Sequence, residues 1–168
     1  MIYNVNKSMP VFTTILKDKW NLKTIVEKQR LLDGKEMVTN VKAWRSGWST
    51  HKDNPEFMPF ANEVTRYVES ISQEHFNPRP IKYFPVNLWA MIYEKEEYAQ
   101  PHNHFPCDFS SVYYVDVDTN ASPIIFEEQL EIHPYNGMLV IWQGVLEHKV
   151  PKTKGRRIAI SMNFRKRK

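Results

Sequence analysis

Arg157-Ile158-Ala159-Ile160-Ser161-Met162-Asn163-Phe164 is the stretch whose pattern decides the fold. In a strand, successive side chains point to opposite faces. Arg157, Ala159, Ser161 and Asn163 therefore share one face, and Ile158, Ile160, Met162 and Phe164 share the other. The split predicts a strand with a polar inner wall and an apolar outer face on which helices can pack. An inner wall presenting Arg, Ser and Asn must give those groups partners, because unpaired buried polar groups are costly. A bound anion would serve.

Outward from that strand, the chain after residue 80 reads as β. Residues 82–94 alternate and are rich in aromatics, and Glu94-Lys95-Glu96-Glu97 marks a turn. Short apolar strands are expected near 109–117, 123–127, 130–133 and 138–142, separated by Asp, Asn, Gly and Pro. Before residue 80 the pattern differs. Residues 10–16 read as a short strand. Leu22, Ile25, Val26 and Leu32 recur at helical spacing, with Asp33-Gly34 as the stop. Residues 40–52 have no clear period and read as a loop over the barrel, with His51 partly exposed in it. A second helix is expected from Glu56 to His75, with Phe60, Val64, Tyr67, Val68 and Ile71 on one face and Pro59 in its first turn. Many short strands behind two helices predict a mainly β fold, a double-sheet jelly roll (double-stranded β-helix) of the cupin kind braced by two helices. The expected organisation is one domain over 1–168: strand and helical support in 1–80, a jelly-roll core in 81–165 and a basic tail in 165–168.

His102-Asn103-His104 puts two imidazoles on one face of an extended segment, and His148 on a neighbouring strand would supply a third. Three ligands on one side of an ion leave the other side open, and neutral imidazole suits Fe, Zn, Cu and Ni alike. Arg157 adds a carboxylate holder, since a guanidinium binds a carboxylate with two parallel hydrogen bonds. The combination points to an acidic co-substrate that chelates the metal at one end and meets Arg157 at the other.

Read in order, His102-Asn103-His104, Ser110-Ser111-Val112-Tyr113-Tyr114-Val115, residues 134–142 (Pro134 to Trp142, with Gly137 inside), His148-Lys149-Val150-Pro151 and Gly155 to Asn163 resemble the Fe(II)- and 2-oxoglutarate-dependent oxygenases. The nearest likeness is to the small prolyl-4-hydroxylase-like members of marine bacteria and phages. The resemblance covers residues 81–165. It implies Fe(II) on His102, His148 and His104, 2-oxoglutarate as co-substrate with oxygen, and Arg157 on the distal carboxylate. It further implies hydroxylation of a C–H bond, with peptidyl proline or another small or peptide substrate. Tyr93, at the offset where similar oxygenases carry a carboxylate-binding tyrosine, is a candidate for the co-substrate. Asn163 is assigned to the same site, though its distance along the strand from Arg157 places it near the metal or the substrate. Tyr113 faces inward if Ser111 does. Two departures stand out: His104 occupies a position where most of the superfamily has Asp or Glu, with Asp108 as an alternative carboxylate, and Ala159 stands where the R-x-S serine would be.

The chain has 168 residues, 42% hydrophobic and 25% charged, which suits an ordinary globular protein. No stretch approaches the length of a membrane span. The N-terminus, Met1-Ile2-Tyr3-Asn4, lacks the zones of a signal peptide, and Cys107 alone forms no internal disulfide, so a cytoplasmic, reducing setting is expected. The net charge of +4 is concentrated toward the C-terminus, where a solvated tail is favoured over nucleic-acid binding. The oligomeric state stays open, a homodimer included. Two other readings compete: a three-histidine cupin dioxygenase that uses no 2-oxoglutarate, favoured by His104, and a non-catalytic β-barrel binding module.

Overall fold

The computed structural model describes residues 8–33 and 40–167. Met1-Ile2-Tyr3-Asn4, Gly34 and Lys168, on which expectations were placed above, lie outside the described residues. The elements run β1 (Val11–Ile15), α1 (Leu22–Asp33), β2 (Val41–Lys42), β3 (Trp44–Arg45), α2 (Thr50–Asp53), a 3₁₀ turn (Pro55–Phe57), α3 (Met58–His75), β4 (Tyr83–Tyr93), β5 (Tyr98–His102) and β6 (Phe109–Val117). They continue with β7 (Ile124–Phe126), β8 (Leu130–Ile132), β9 (Met138–Gln143), β10 (His148–Val150) and β11 (Arg157–Lys166).

The strands form two antiparallel sheets. The major sheet has the order β1-β9-β6-β11-β4-β3, and the minor sheet has the order β2-β5-β10-β7-β8. This is the expected jelly roll. β11 is central in the major sheet, paired with β4 and β6 on its two sides. Its alternation is borne out: Ile158, Ile160, Met162 and Phe164 join the core formed with the helices, whereas Ala159 joins a second core between the sheets. Helix α3 buries Phe60, Ala61, Val64 and Val68 in the first of these cores, and α1 adds Leu22, Ile25 and Val26. Each large apolar side chain so buried contributes roughly 1.5–3 kcal/mol. Phe60 is the pivot of that packing, edge-on to Trp20 at 5.5 Å and tilted against Tyr113 at 5.2 Å. Before β9 the chain turns through Gly137 at φ +83°, a left-handed conformation open to glycine without strain.

Several local expectations are corrected. The segment 40–52 is not a loop: β2 and β3 close edges of the two sheets and α2 packs on β4. His51 lies in α2 and is buried, 4% exposed. Tyr113 does not face the space between the sheets. It shares the helix-side core, and its hydroxyl donates to the Leu16 carbonyl at 2.9 Å. The basic end is not a tail from residue 165, because Arg165 and Lys166 are still paired in β11.

Candidate active site

The space between the sheets is a narrow cavity, partly open to solvent and lined by both inner faces. The minor sheet brings the imidazoles. His102 ends β5 and His148 begins β10, and the two are direct cross-strand partners. His104 lies just past β5, beyond the strand on which it was expected. Its backbone N–H donates to the Gly144 carbonyl at 2.7 Å, tying the loop to the end of β9. A Cβ on Gly144 would collide with the Cys107 carbonyl, so glycine is what lets these two loops approach.

The ring centroids of His102 and His148 are 4.4 Å apart, those of His102 and His104 5.1 Å, and those of His104 and His148 5.0 Å. One ring nitrogen from each falls within 4.8 Å of the other two, a cluster that could hold a metal ion. Two of the rings are oriented from behind. The Nδ1 of His102 lies 2.7 Å from the Gln100 carbonyl and that of His148 lies 3.3 Å from the Leu146 carbonyl. A carbonyl only accepts, so both Nδ1 atoms carry the proton and both Nε2 lone pairs are free for a ligand role. Burial lowers the pKa of all three imidazoles; that of His104 falls to about 3, with His102 nearby as a second cause. Neutral rings are the form that binds a metal. Trp142 packs edge-on against His148 at 4.8 Å, Phe126 lies 5.7 Å from the same ring, and Trp89 lies 5.7 Å from His104. These rings make an apolar collar around the cluster.

The major sheet supplies the opposite wall. Arg157 is 2% exposed, with its guanidinium 4.3 Å from the Tyr93 ring centroid and 5.7 Å from that of Tyr114. It donates through one terminal nitrogen to the Ser122 carbonyl at 3.0 Å. Among the described residues, no partner is found for Arg157 Nε, the Tyr114 hydroxyl, Trp89 Nε1 or Trp142 Nε1, all buried on residues that line this cavity. Burial pushes the Tyr114 pKa up to about 12, so its hydroxyl stays protonated and able to donate. Among the described residues, no carboxylate lines the cavity. A buried cation, three further unpartnered donors and no internal anion describe a wall built for an acidic guest.

Other sequence candidates are placed as follows. Tyr93 is fully buried beside Arg157, but its hydroxyl donates to the Met91 sulfur at 3.7 Å. Asn163 lies farther along β11, accepts from the Ser110 hydroxyl at 2.8 Å and lines a separate groove rather than the cavity. Asp108 is not in the histidine cluster; its carboxylate accepts from the Lys166 backbone N–H at 2.9 Å. Tyr114, Trp89 and Trp142 were missed as site residues, although Tyr114 stands in the quoted VYYV motif.

A jelly roll with two imidazoles on one sheet, a third converging on them from the adjoining loop and a buried arginine on the other sheet is the class of protein that fold and site define. No protein-family model and no curated protein matches the sequence. Solved structures do. A prolyl-4-hydroxylase of Pseudomonas putida superposes with a TM-score of 0.72 at 13% identity, covering 96% of this chain and 95% of that one. The viral collagen prolyl hydroxylase of Paramecium bursaria Chlorella virus-1, in its 2OG complex, gives a TM-score of 0.66 at 13% identity, with 92% and 94% covered. SnoK, a non-heme alpha-ketoglutarate-dependent carbocyclase from nogalamycin biosynthesis, gives 0.72 at 9% identity, with 93% and 79% covered. The chain has the fold of the 2-oxoglutarate and Fe(II) oxygenases, prolyl hydroxylases among them.

Proposed function

We propose that this chain is an Fe(II)- and 2-oxoglutarate-dependent oxygenase, a hydroxylase acting on a small or peptide substrate. The observation that carries it is the pairing of three neutral imidazoles with a buried Arg157 that has no counterion among the described residues, across one cavity. The residues fit both guests. Three nitrogen donors suit Fe(II), and the unpartnered donors of Arg157, Tyr114, Trp89 and Trp142 suit a dicarboxylate.

His102, His148 and His104 hold the metal, the first two aimed by the Gln100 and Leu146 carbonyls. Arg157 holds the distal carboxylate of 2-oxoglutarate. Tyr114 lies in register opposite Ala159 on the neighbouring strand, so its hydroxyl takes over from the serine that Ala159 lacks. Tyr93 acts on the co-substrate indirectly, by keeping the guanidinium in place through its ring face. Trp142, Trp89 and Phe126 keep bulk water from the metal, which strengthens every polar contact inside. Iron held by these three imidazoles would supply oxygen activation coupled to decarboxylation of 2-oxoglutarate to succinate and CO2. Peptidyl proline comes first among substrates because three of the similar structures are prolyl hydroxylases.

The test is an anaerobic titration of the iron-loaded protein with 2-oxoglutarate, following the visible metal-to-ligand charge-transfer band. A band that Arg157→Ala weakens supports the reading. Iron binding without any band favours the second reading, a three-histidine dioxygenase that needs no 2-oxoglutarate, for which the specific observation is His104 in place of a carboxylate. Absence of iron binding defeats both.

A further inference from the structure

On the far side of His104 lies a second depression, lined by Trp48, Asn87, Phe105, Cys107, Asn163 and Arg165 among others, and sharing His104 with the cavity between the sheets. Its chemistry is unlike that cavity. Trp48 is 44% exposed and Phe105 75% exposed, the most accessible aromatic surface near the metal cluster. Trp48 is nonetheless held in position: the Arg45 guanidinium stacks on its ring at 4.0 Å, and Trp89 meets it edge-on at 4.8 Å. Trp89 in turn lies 5.7 Å from His104, so a guest on Trp48 is one ring removed from the metal.

The polar groups of the groove are amides and a cation. The Asn163 carbonyl oxygen accepts from Ser110, and its amide nitrogen reaches Asn87 only at 3.4 Å, leaving both side-chain NH2 groups with donor capacity for a guest carbonyl. Arg165 lies on the same wall beside the Cys107 thiol and makes no ion pair among the described residues. Among the described residues no acidic side chain lines the groove, and the carboxylate of Asp108, which follows Cys107 in the chain, accepts from the Lys166 backbone N–H. A solvent-facing guanidinium with no internal carboxylate, next to exposed aromatic rings and spare amide donors, is complementary to an apolar body carrying a carbonyl and a carboxylate.

We propose that this groove is the primary-substrate site and selects an acidic substrate: an apolar side chain on Trp48 and Phe105, a carbonyl on Asn87 and Asn163, and a carboxylate on Arg165. The inference rests on the oxygenase reading, which places the reactive metal at His104. The carboxylate has two possible sources, the side chain of an acidic peptide or the terminus of a free amino acid.

The experiment is anaerobic calorimetric titration of the iron-loaded, 2-oxoglutarate-bound protein with three probes: acetyl-Ala-Glu-Pro-Glu-Ala-amide, its counterpart with glutamine at both glutamate positions, and free proline. The acidic peptide binding about tenfold or more tightly than the glutamine peptide is the expected result, as for one charge-assisted contact. In Arg165→Gln that preference disappears, and in Trp48→Ala both peptides weaken together, with circular dichroism unchanged in each. Free proline binding instead, with the same dependence on Arg165, assigns the carboxylate to a free amino acid. Equal affinity for the two peptides, a preference that survives Arg165→Gln, or no binding by any probe overturns the proposal. The charge-transfer band reports separately on the co-substrate: a band without probe binding defeats the groove alone, whereas no band defeats the oxygenase reading whatever the probes do.

Discussion

Arg157→Met separates a ligand-holding arginine from a structural one, because the two roles predict opposite effects on the protein with and without 2-oxoglutarate. In the free protein Arg157 is a buried cation with one carbonyl partner and two aromatic neighbours. The carbonyl bond contributes roughly 1.5–3 kcal/mol and the desolvated ring contacts about 2 kcal/mol. Against these stands the desolvation of an unpaired ion, several kcal/mol. The terms nearly cancel, and methionine fills similar length with apolar atoms, so the metal-loaded variant without co-substrate should melt within about 3 °C of the parent. With co-substrate the balance changes. Two charge-assisted bonds at roughly 1.5–3 kcal/mol each correspond to at least about a hundredfold in affinity. At 2-oxoglutarate one hundred times the parent Kd, binding stabilises the parent by about 2.7 kcal/mol, a rise of roughly 5–10 °C for a chain of this size. The same concentration would only equal the variant's Kd, for a gain of about 0.4 kcal/mol and a rise of roughly 1–2 °C. Differential scanning fluorimetry under anaerobic conditions measures both quantities. A drop of 10 °C or more in the variant without co-substrate, together with an undiminished shift on adding it, would show that Arg157 supports the fold and not the ligand.

Four further outcomes are expected. Tyr114→Phe should weaken 2-oxoglutarate about tenfold in the charge-transfer titration, the effect of one hydrogen bond from a buried hydroxyl to a carboxylate, with the melting temperature nearly unchanged. Gly144→Ala should lower iron affinity although glycine touches no metal, because the collision with Cys107 shifts the loop that holds His104; unaltered iron affinity counts against that coupling. Acidification should destabilise the metal-free protein. His102, His104 and His148 all have pKa values lowered in the fold, so below pH 6.5 the unfolded chain binds more protons, and stability falls by up to about 1.4 kcal/mol per pH unit for each ring until its folded pKa is reached. Denaturant melts at pH 7 and pH 5 test this, and His104→Asn should flatten the slope. Phe60→Ala, which empties the contact between α3 and the major sheet, should cost about 3–5 kcal/mol in the same melts.

The long, locally determined elements were legible in the sequence. α1 and α3 carry helical periodicity, and β11 carries a period-two split that survives into the structure because its outer side meets helices and its inner side lines the cavity between the sheets. The three histidines and Arg157 were legible for a related reason: few other arrangements need those side chains in that order. What escaped was set by tertiary pairing. β2 and β3 are two residues long and become strands only because longer neighbours hold them. The parity of β6 was misread at Tyr113 because that strand is buried on both faces from Phe109 to Tyr114, so hydrophobicity gives no sign of which tyrosine points inward. His51 escaped because its burial comes from α2 packing on β4, which no local pattern records.

The division of the site between unequal sheets has a mechanical consequence. Two of the proposed metal ligands, His102 and His148, sit on a sheet of strands two to five residues long and His104 on the loop just beyond it, while Arg157 is anchored in a ten-residue strand paired along both edges. A molecule gripped by both is a rivet between a stiff jaw and a pliant one. Amide hydrogen exchange should therefore slow most in β5, β7 and β10 when 2-oxoglutarate and metal are added, and scarcely change in β11, whose pairing on both edges should already protect its amides. In the proposed reaction the product succinate, one carbon shorter and without the keto group, would lose the rivet's grip at the metal end first. The pliant sheet would then be free to relax before the next co-substrate arrives.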